Sequence, residues 1–252
     1  DSMKQKDLTI LALQEKVKEL MAEKESLVNR LSQICSVKIS DGNPNITDLS
    51  DPNRADKLVG RFSELYANQW TDSFQALYES KYMVEENAIQ DLLHIVLNVY
   101  KVCREHAEYQ NQELVKAVQS FTGVKVGDKS EETTVQEYMH NLHIFRAKNY
   151  ALKMAEVKAE IGKYLKSIVD TDVYEICQDY IAECTEVCWL MCVKSPPMYI
   201  SADKTDTFQH HLYTGYTTSG KYVSYVVWPT LFQYKDGPIM QRGVAQGTNK
   251  KM

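Results

Sequence analysis

The sequence predicts a mainly α fold: an N-terminal coiled-coil helix, then an antiparallel helical bundle with a short, irregular β-containing cap at its C-terminus. Three observations predict it. Apolar residues recur in a strict heptad over the first four turns-of-seven. Long amphipathic stretches at 3.6-residue spacing follow. Beyond Ser195 the composition then shifts, with four of the six prolines and five of the ten glycines in the last quarter.

In the heptad, Ile10, Val17, Lys24 and Leu31 take the a positions and Leu13, Leu20, Leu27 and Ile34 the d positions. β-branched residues at two a positions with leucine at three d positions favour a parallel two-stranded coil, and Lys24 disfavours larger cores in which its ammonium would lose water. Residues 1–35 are therefore expected to self-associate as a dimer or a higher oligomer. The apolar e positions Met21 and Val28 widen the stripe, so a seat on the chain's own domain stays open as an alternative. Residues 36–50, rich in Ser, Asn, Asp, Gly and Pro, read as a linker.

The domain is expected over 51–252, with its packed part running from Ser50 to about Ala245. Ser50 or Asp51 can cap a first helix that carries Pro52 in its first turn and reaches about Ser80. A second helix is expected from about Val84 to Phe121, a third from about Thr133 to Ser167 and a fourth from about Thr171 to Val193. Between Arg146 and Lys166 there are six basic and two acidic residues, whereas Asp170 to Glu186 holds six acidic residues and no basic one. An antiparallel hairpin would set these two faces against each other, which is the structural explanation of the basic helix. From about residue 195 the Tyr, Val, Thr and Phe of "SGKYVSYVVWPTLFQY" predict extended structure, Asp236-Gly237 a turn, and Gly243 a tight bend. Trp228-Pro229 stops helix continuation, and the uncharged aromatics around it predict a segment lying across the helices.

A net charge of −5 and a pI near 5.7 exclude a general nucleic-acid binder, which needs a surplus of Lys and Arg. The uncharged run from Tyr222 to Tyr234 is too short for a membrane span and contains a proline. Six cysteines scattered through helical sequence fit reduced thiols in the cytoplasm better than a disulfide framework.

Catalytic signatures such as a phosphate-binding glycine loop, a zincin sequence or a serine-nucleophile elbow are missing, and no cofactor is assigned. Glu137-x-x-His140 and Asp91-x-x-His94 match the half-motif of di-iron bundles, but acid and histidine three apart also recur on solvated faces, and no metal is assigned. Cys184, Cys188 and Cys192 form a row beside Trp189, with Cys177 one heptad earlier. Thiols spread over two helical turns cannot converge on one tetrahedral ion, so core packing is expected. His210-His211 stands in a loop-like stretch and leaves a Cys-His pair formally open. The basic helix offers a functional alternative to surface charge: Arg146, Lys148, Lys153, Lys158, Lys163 and Lys166 as contacts to anionic lipid headgroups.

"CWLMCVKSPPM" (Cys188–Met198) followed by "YVVWPTLFQYKDGPIMQRGVAQG" (Tyr225–Gly247) resembles the C-terminal domain of the mitochondria-eating protein family, with further likeness in Leu77 to Cys103. The resemblance implies a non-enzymatic role in mitochondrial quality control, in the cytosol and at mitochondria, with self-association and binding of cardiolipin and of outer-membrane mitophagy receptors. It assigns no lipid-binding residues; the lysines above rest on charge alone. The expected function is thus a self-associating scaffold at mitochondrial membranes. The alternatives are a protein-binding adaptor without lipid contact and, third, a metal-dependent enzyme on Glu137 and His140.

Overall fold

The computed structural model describes residues 15–25, 53–81, 84–123, 142, 145–146 and 149–250. By contact density the chain divides into residues 1–54 and 55–252. In the first unit, residues 15–25 form a helix, α1, whose Val17, Leu20 and Met21 are exposed.

The second unit begins with α2 (Ala55–Leu65) and α3 (Thr71–Lys81), joined by a π-helical turn, Tyr66–Trp70. The sequence predicts one uninterrupted helix here; the π-turn rotates the face by the one extra residue it accommodates. Leu58, Phe62 and Leu65 are buried before the turn, and Trp70 and Leu77 after it. The proposed cap at Ser50 or Asp51 lies outside the described residues. Helix α4 (Glu85–Thr122) matches its expected span and ends on Gly123, whose φ of 71° gives the left-handed stop that glycine adopts without a steric cost.

Of the two remaining helices, one is described only in part and one departs from expectation. Of the third, the described regular part is α5 (Ala151–Ile168); its expected first turns from Thr133 lie mostly outside the described residues. The fourth is two helices, α6 (Thr171–Ile176) and α7 (Gln178–Cys192), separated at Cys177. Asp170 starts this segment, its carboxylate accepting from the backbone N–H of Asp172 and Val173 at 3.0 and 3.3 Å. Ten of the fifteen residues of α7 are buried, because α7 is packed by both α2 and α4. Its remaining polar side chains, Gln178, Asp179, Glu183 and Glu186, stay at least partly exposed.

The C-terminal cap consists of two three-stranded sheets. Strands β1 (Tyr199–Ser201), β4 (Thr230–Phe232) and β5 (Ile239–Gln241) form one, in the order β1-β4-β5. Strands β2 (Tyr213–Gly215), β3 (Tyr222–Trp228) and β6 (Gly243–Thr248) form the other, with β6 in the middle. β6 runs parallel to β2, with Thr214 beside Val244, and antiparallel to β3, with Val226 beside Ala245. Pro229 is the point at which the chain passes from one sheet to the other, between β3 and β4. Proline has no N–H to give a ladder, so a change of partner costs least there.

The cap is closed by tight backbone packing at β6. A Cβ on Gly243 would sit 2.5 Å from the Trp228 carbonyl oxygen, and one on Gly247 would sit 1.9 Å from that of Ser219. Gly243 was expected to allow a bend; it instead lies in a strand and allows close approach. The predicted turn is present: Gly237 N–H donates to Tyr234 O at 2.9 Å, and Asp236 takes φ 62°, which Asp tolerates better than most residues. Trp228, fully buried, rests on Phe62 and Tyr66 with ring centroids 4.7 and 5.2 Å apart, and Tyr66 continues to Trp70 at 4.9 Å. This aromatic contact, with Gln90 Nε2 donating to Val226 O at 3.2 Å, fixes the cap on α2 and α4.

Candidate functional site

The six basic residues expected to meet lipid do not share one environment. Arg146 is turned inward: its guanidinium lies 5.3 Å from the centroid of the Trp189 ring, and Nη2 donates to Ala107 O at 3.2 Å. Burial lowers its pKa. A guanidinium held on a buried indole is committed to packing and has little left for a headgroup. Lys148 lies outside the described residues. Lys153 is exposed and pairs with Glu156 at 2.7 Å, a local contact one turn away.

Lys158, Lys163 and Lys166 differ. The buried stripe of α5 is Met154, Val157, Ile161 and Leu165. At about 100° per residue the three lysines fall within one sector of roughly 140° that runs from the edge of the buried stripe, where Lys158 is half-buried, to the far side, where Lys163 and Lys166 are exposed, and no acidic side chain of α5 falls within it. Ala155, Ala159 and Leu152, all exposed, share that sector, and Leu152 is 82% exposed. Glu156 and Glu160 project beside Lys153 instead. Lys166 Nζ also lies 5.0 Å from the Tyr174 ring, at the border of the sector.

The acidic helix does not find its partners where charge pattern alone suggests. Glu183 and Glu186 accept from Arg61 Nη2 on α2 at 2.8 and 2.9 Å. Burial opposes the charge of Arg61, and the two hydrogen-bonded carboxylates more than offset it. Tyr150 Oη donates to Glu186 Oε1 at 3.1 Å, adding α5's first turn to the same cluster. Sequence reasoning missed Arg61 because a single arginine in an ordinary amphipathic helix carries no signal of its own.

Cys103, Cys177, Cys184, Cys188 and Cys192 are free and buried, and Cys35 lies outside the described residues. Burial pushes the thiols of Cys103, Cys184, Cys188 and Cys192 well above their ordinary value and that of Cys177 up to about 12. Thiols so shifted stay protonated and behave as small apolar groups. Cys103 Sγ donates to Thr185 O at 3.8 Å, which ties α4 to α7. Among the described residues no three His, Cys, Asp or Glu side chains converge as a metal site. Asp91 is half-buried and His94 exposed on α4, while Glu137 and His140 lie outside the described residues. His210 packs on Phe208 at 5.0 Å, and its carbonyl accepts from Arg242.

Of the self-association residues, Val17, Leu20 and Lys24 are exposed on α1; Ile10, Leu13, Leu27, Leu31 and Ile34 lie outside the described residues. Among the described residues no helix is long and apolar enough to cross a membrane.

The described part of the domain is thus a helical module with a β cap, in which the described cysteines are buried and the lysines of α5 lie outside the buried stripe. The family model for the mitochondria-eating protein matches residues 54–247, and the chain belongs to that family. Membership places it in mitochondrial quality control, in association with mitochondria. No curated protein and no solved structure was found to match the chain.

Proposed function

We propose that the chain acts as a self-associating scaffold that meets anionic mitochondrial lipid, of which cardiolipin is the candidate, through the outer face of α5. The observation that carries this reading is the acid-free sector of Lys158, Lys163 and Lys166, in which small alanines flank the exposed Lys163 and Lys166 and Leu152 offers an exposed apolar contact. Each lysine near an anionic surface contributes on the order of 1 kcal/mol, so one copy binds weakly. Self-association through the heptad of residues 10–34 would place several such faces on one membrane and raise their effective concentration. Outer-membrane mitophagy receptors are the protein partners proposed for the same assembly.

Flotation of the full chain with vesicles tests the reading. Cardiolipin vesicles are expected to carry the protein and neutral phosphatidylcholine vesicles to leave it behind, with binding weakened by salt. The triple variant K158E/K163E/K166E is expected to lose flotation and keep its unfolding curve. Unchanged flotation of that variant overturns the assignment and leaves a protein-binding adaptor as the better description.

A further inference from the structure

A cavity of about 320 Å³ lies between α4 and α5, lined by Val102, Glu105, His106, Tyr109 and Glu160. The four α4 residues stand at i, i+3, i+4 and i+7, one helical face, and Glu160 closes the cavity from α5. Nothing in the lipid reading uses it, and its carboxylates would repel an anionic headgroup.

Its carboxylates have no lysine or arginine partner among the described residues, whereas those of their neighbours do. Glu108 pairs with Arg104 at 2.9 Å, Glu113 with Lys116 at 2.8 Å and Glu156 with Lys153 at 2.7 Å. Among the described residues no lysine or arginine pairs with Glu105 or Glu160; Glu160 Oε2 meets only the His106 Nδ1, at 3.0 Å. Tyr109 repeats the pattern. Elsewhere the molecule sets its own cations over aromatic rings: Arg104 over Tyr199, Arg146 over Trp189, Lys166 over Tyr174 and Lys221 over Tyr222. Tyr109, 61% exposed, has no such cation among the described residues.

We infer that this cavity is a docking slot for an arginine side chain presented by a partner peptide. Two carboxylates without a lysine or arginine partner suit the forked donors of a guanidinium, the Tyr109 ring suits its flat face, and Val102 gives its methylene stem an apolar wall. The volume lies at the low end of the roughly 300–1,000 Å³ typical of ligand sites, which fits a side chain better than a larger cofactor. A metal is disfavoured because no three ligating side chains converge here. His106, half-buried and edge-on to Trp189 at 5.7 Å, backs the slot.

NMR titration of the labelled full chain with a capped Gly-Gly-Arg-Gly-Gly peptide tests the slot. Saturable shifts are expected at His106 and Tyr109, and the same peptide with citrulline, a neutral isostere of arginine, is expected to produce none. E105Q and Y109S change exposed side chains and are expected to leave the unfolding curve as it is. Together they should weaken binding at least about tenfold, the equivalent of one good charge-assisted contact. The remote pair E64Q/E79Q controls for overall charge. Equal weakening by that control, or shifts that map elsewhere, overturns the inference. So does a concentration-dependent shift at His106 without peptide that E105Q abolishes, since the occupant would then be a second copy of the chain.

Discussion

Two buried tryptophans mark opposite characters within one domain. Trp228 sits among neutral aromatics, Phe62 and Tyr66, under a β cap closed by glycines. Trp189 sits between charged or polar groups, Arg146 on its face and His106 at its edge, and beside it lie Glu160 and the cavity. The first end has only shape to satisfy and tolerates no change of volume. At the second, desolvated charge is held by an indole, and two surface carboxylates lack a lysine or arginine partner among the described residues. Closure belongs to the Trp228 end and recognition to the Trp189 end.

The sharpest way to break this contrast is to add volume at the cap. Gly247→Val places a side chain where the Ser219 carbonyl already stands, 1.9 Å from the first atom, with backbone rather than a flexible side chain in the way. Overpacking usually costs about 1–3 kcal/mol, and backbone obstruction puts this variant at or above the top of that range. Chemical denaturation should show a large loss of stability or no cooperative transition at all. Wild-type-like unfolding would show that β6 is not the closing element.

Trp228→Ala removes the aromatic contact itself and is expected to cost about 3–5 kcal/mol, the range for a buried large aromatic. At the other end, Arg146→Met should cost less than about 2 kcal/mol. It forfeits a cation–π contact but also relieves the burial of a charge, and methionine can still cover the indole. Calorimetry on both variants orders the two ends; an Arg146→Met loss equal to that of Trp228→Ala would erase the distinction between them.

Alkaline titration gives a graded test. Burial raises Cys177 from 9.0 to about 12 and Tyr213 from 10.0 to about 12, so the unfolded chain releases these protons first. Their contribution to stability is complete below pH 9 and is lost as pH rises towards 12. The denaturation midpoint should therefore fall over that window. The double variant Cys177→Ala, Tyr213→Phe should flatten the fall, while an unchanged slope would mean that other groups dominate.

The smallest effect expected is at α5's outer face. Lys163→Gln should change stability by no more than about 0.5 kcal/mol, as substitutions at solvated positions do. A larger loss in thermal unfolding would mean that the face is packed and unavailable to lipid.

Much of this arrangement was legible in the residues. The α4 boundaries, the apolar stripes of α4 and α5, the burial of the cysteine row and the strand character of Tyr222–Trp228 follow from periodicity and side-chain type. Other features were not legible because they depend on contacts distant in sequence. The π-turn at Tyr66–Trp70 has no local signature, and its two faces make sense only against Trp228. Arg146 counts as one more positive charge in the sequence until Trp189 is found beneath it. Glu183 and Glu186 read as partners for the lysines of α5, yet Arg61, more than a hundred residues earlier, reaches them.

The sequence by itself determined where helices give way to strands, which faces are apolar and which family the C-terminal segment resembles, because periodicity, proline and glycine act over a few residues. Tertiary structure alone decided which charges are spent. A lysine or glutamate has the same local chemistry whether it is paired, stacked on a ring or exposed, and only the packing of α4, α5 and α7 distinguishes committed Arg146 from exposed Lys163, and Glu156 on Lys153 from Glu160 on His106. The same holds for Gly243, which reads as a bend in the chain and is, in the folded cap, a position where two backbones come too close for any side chain.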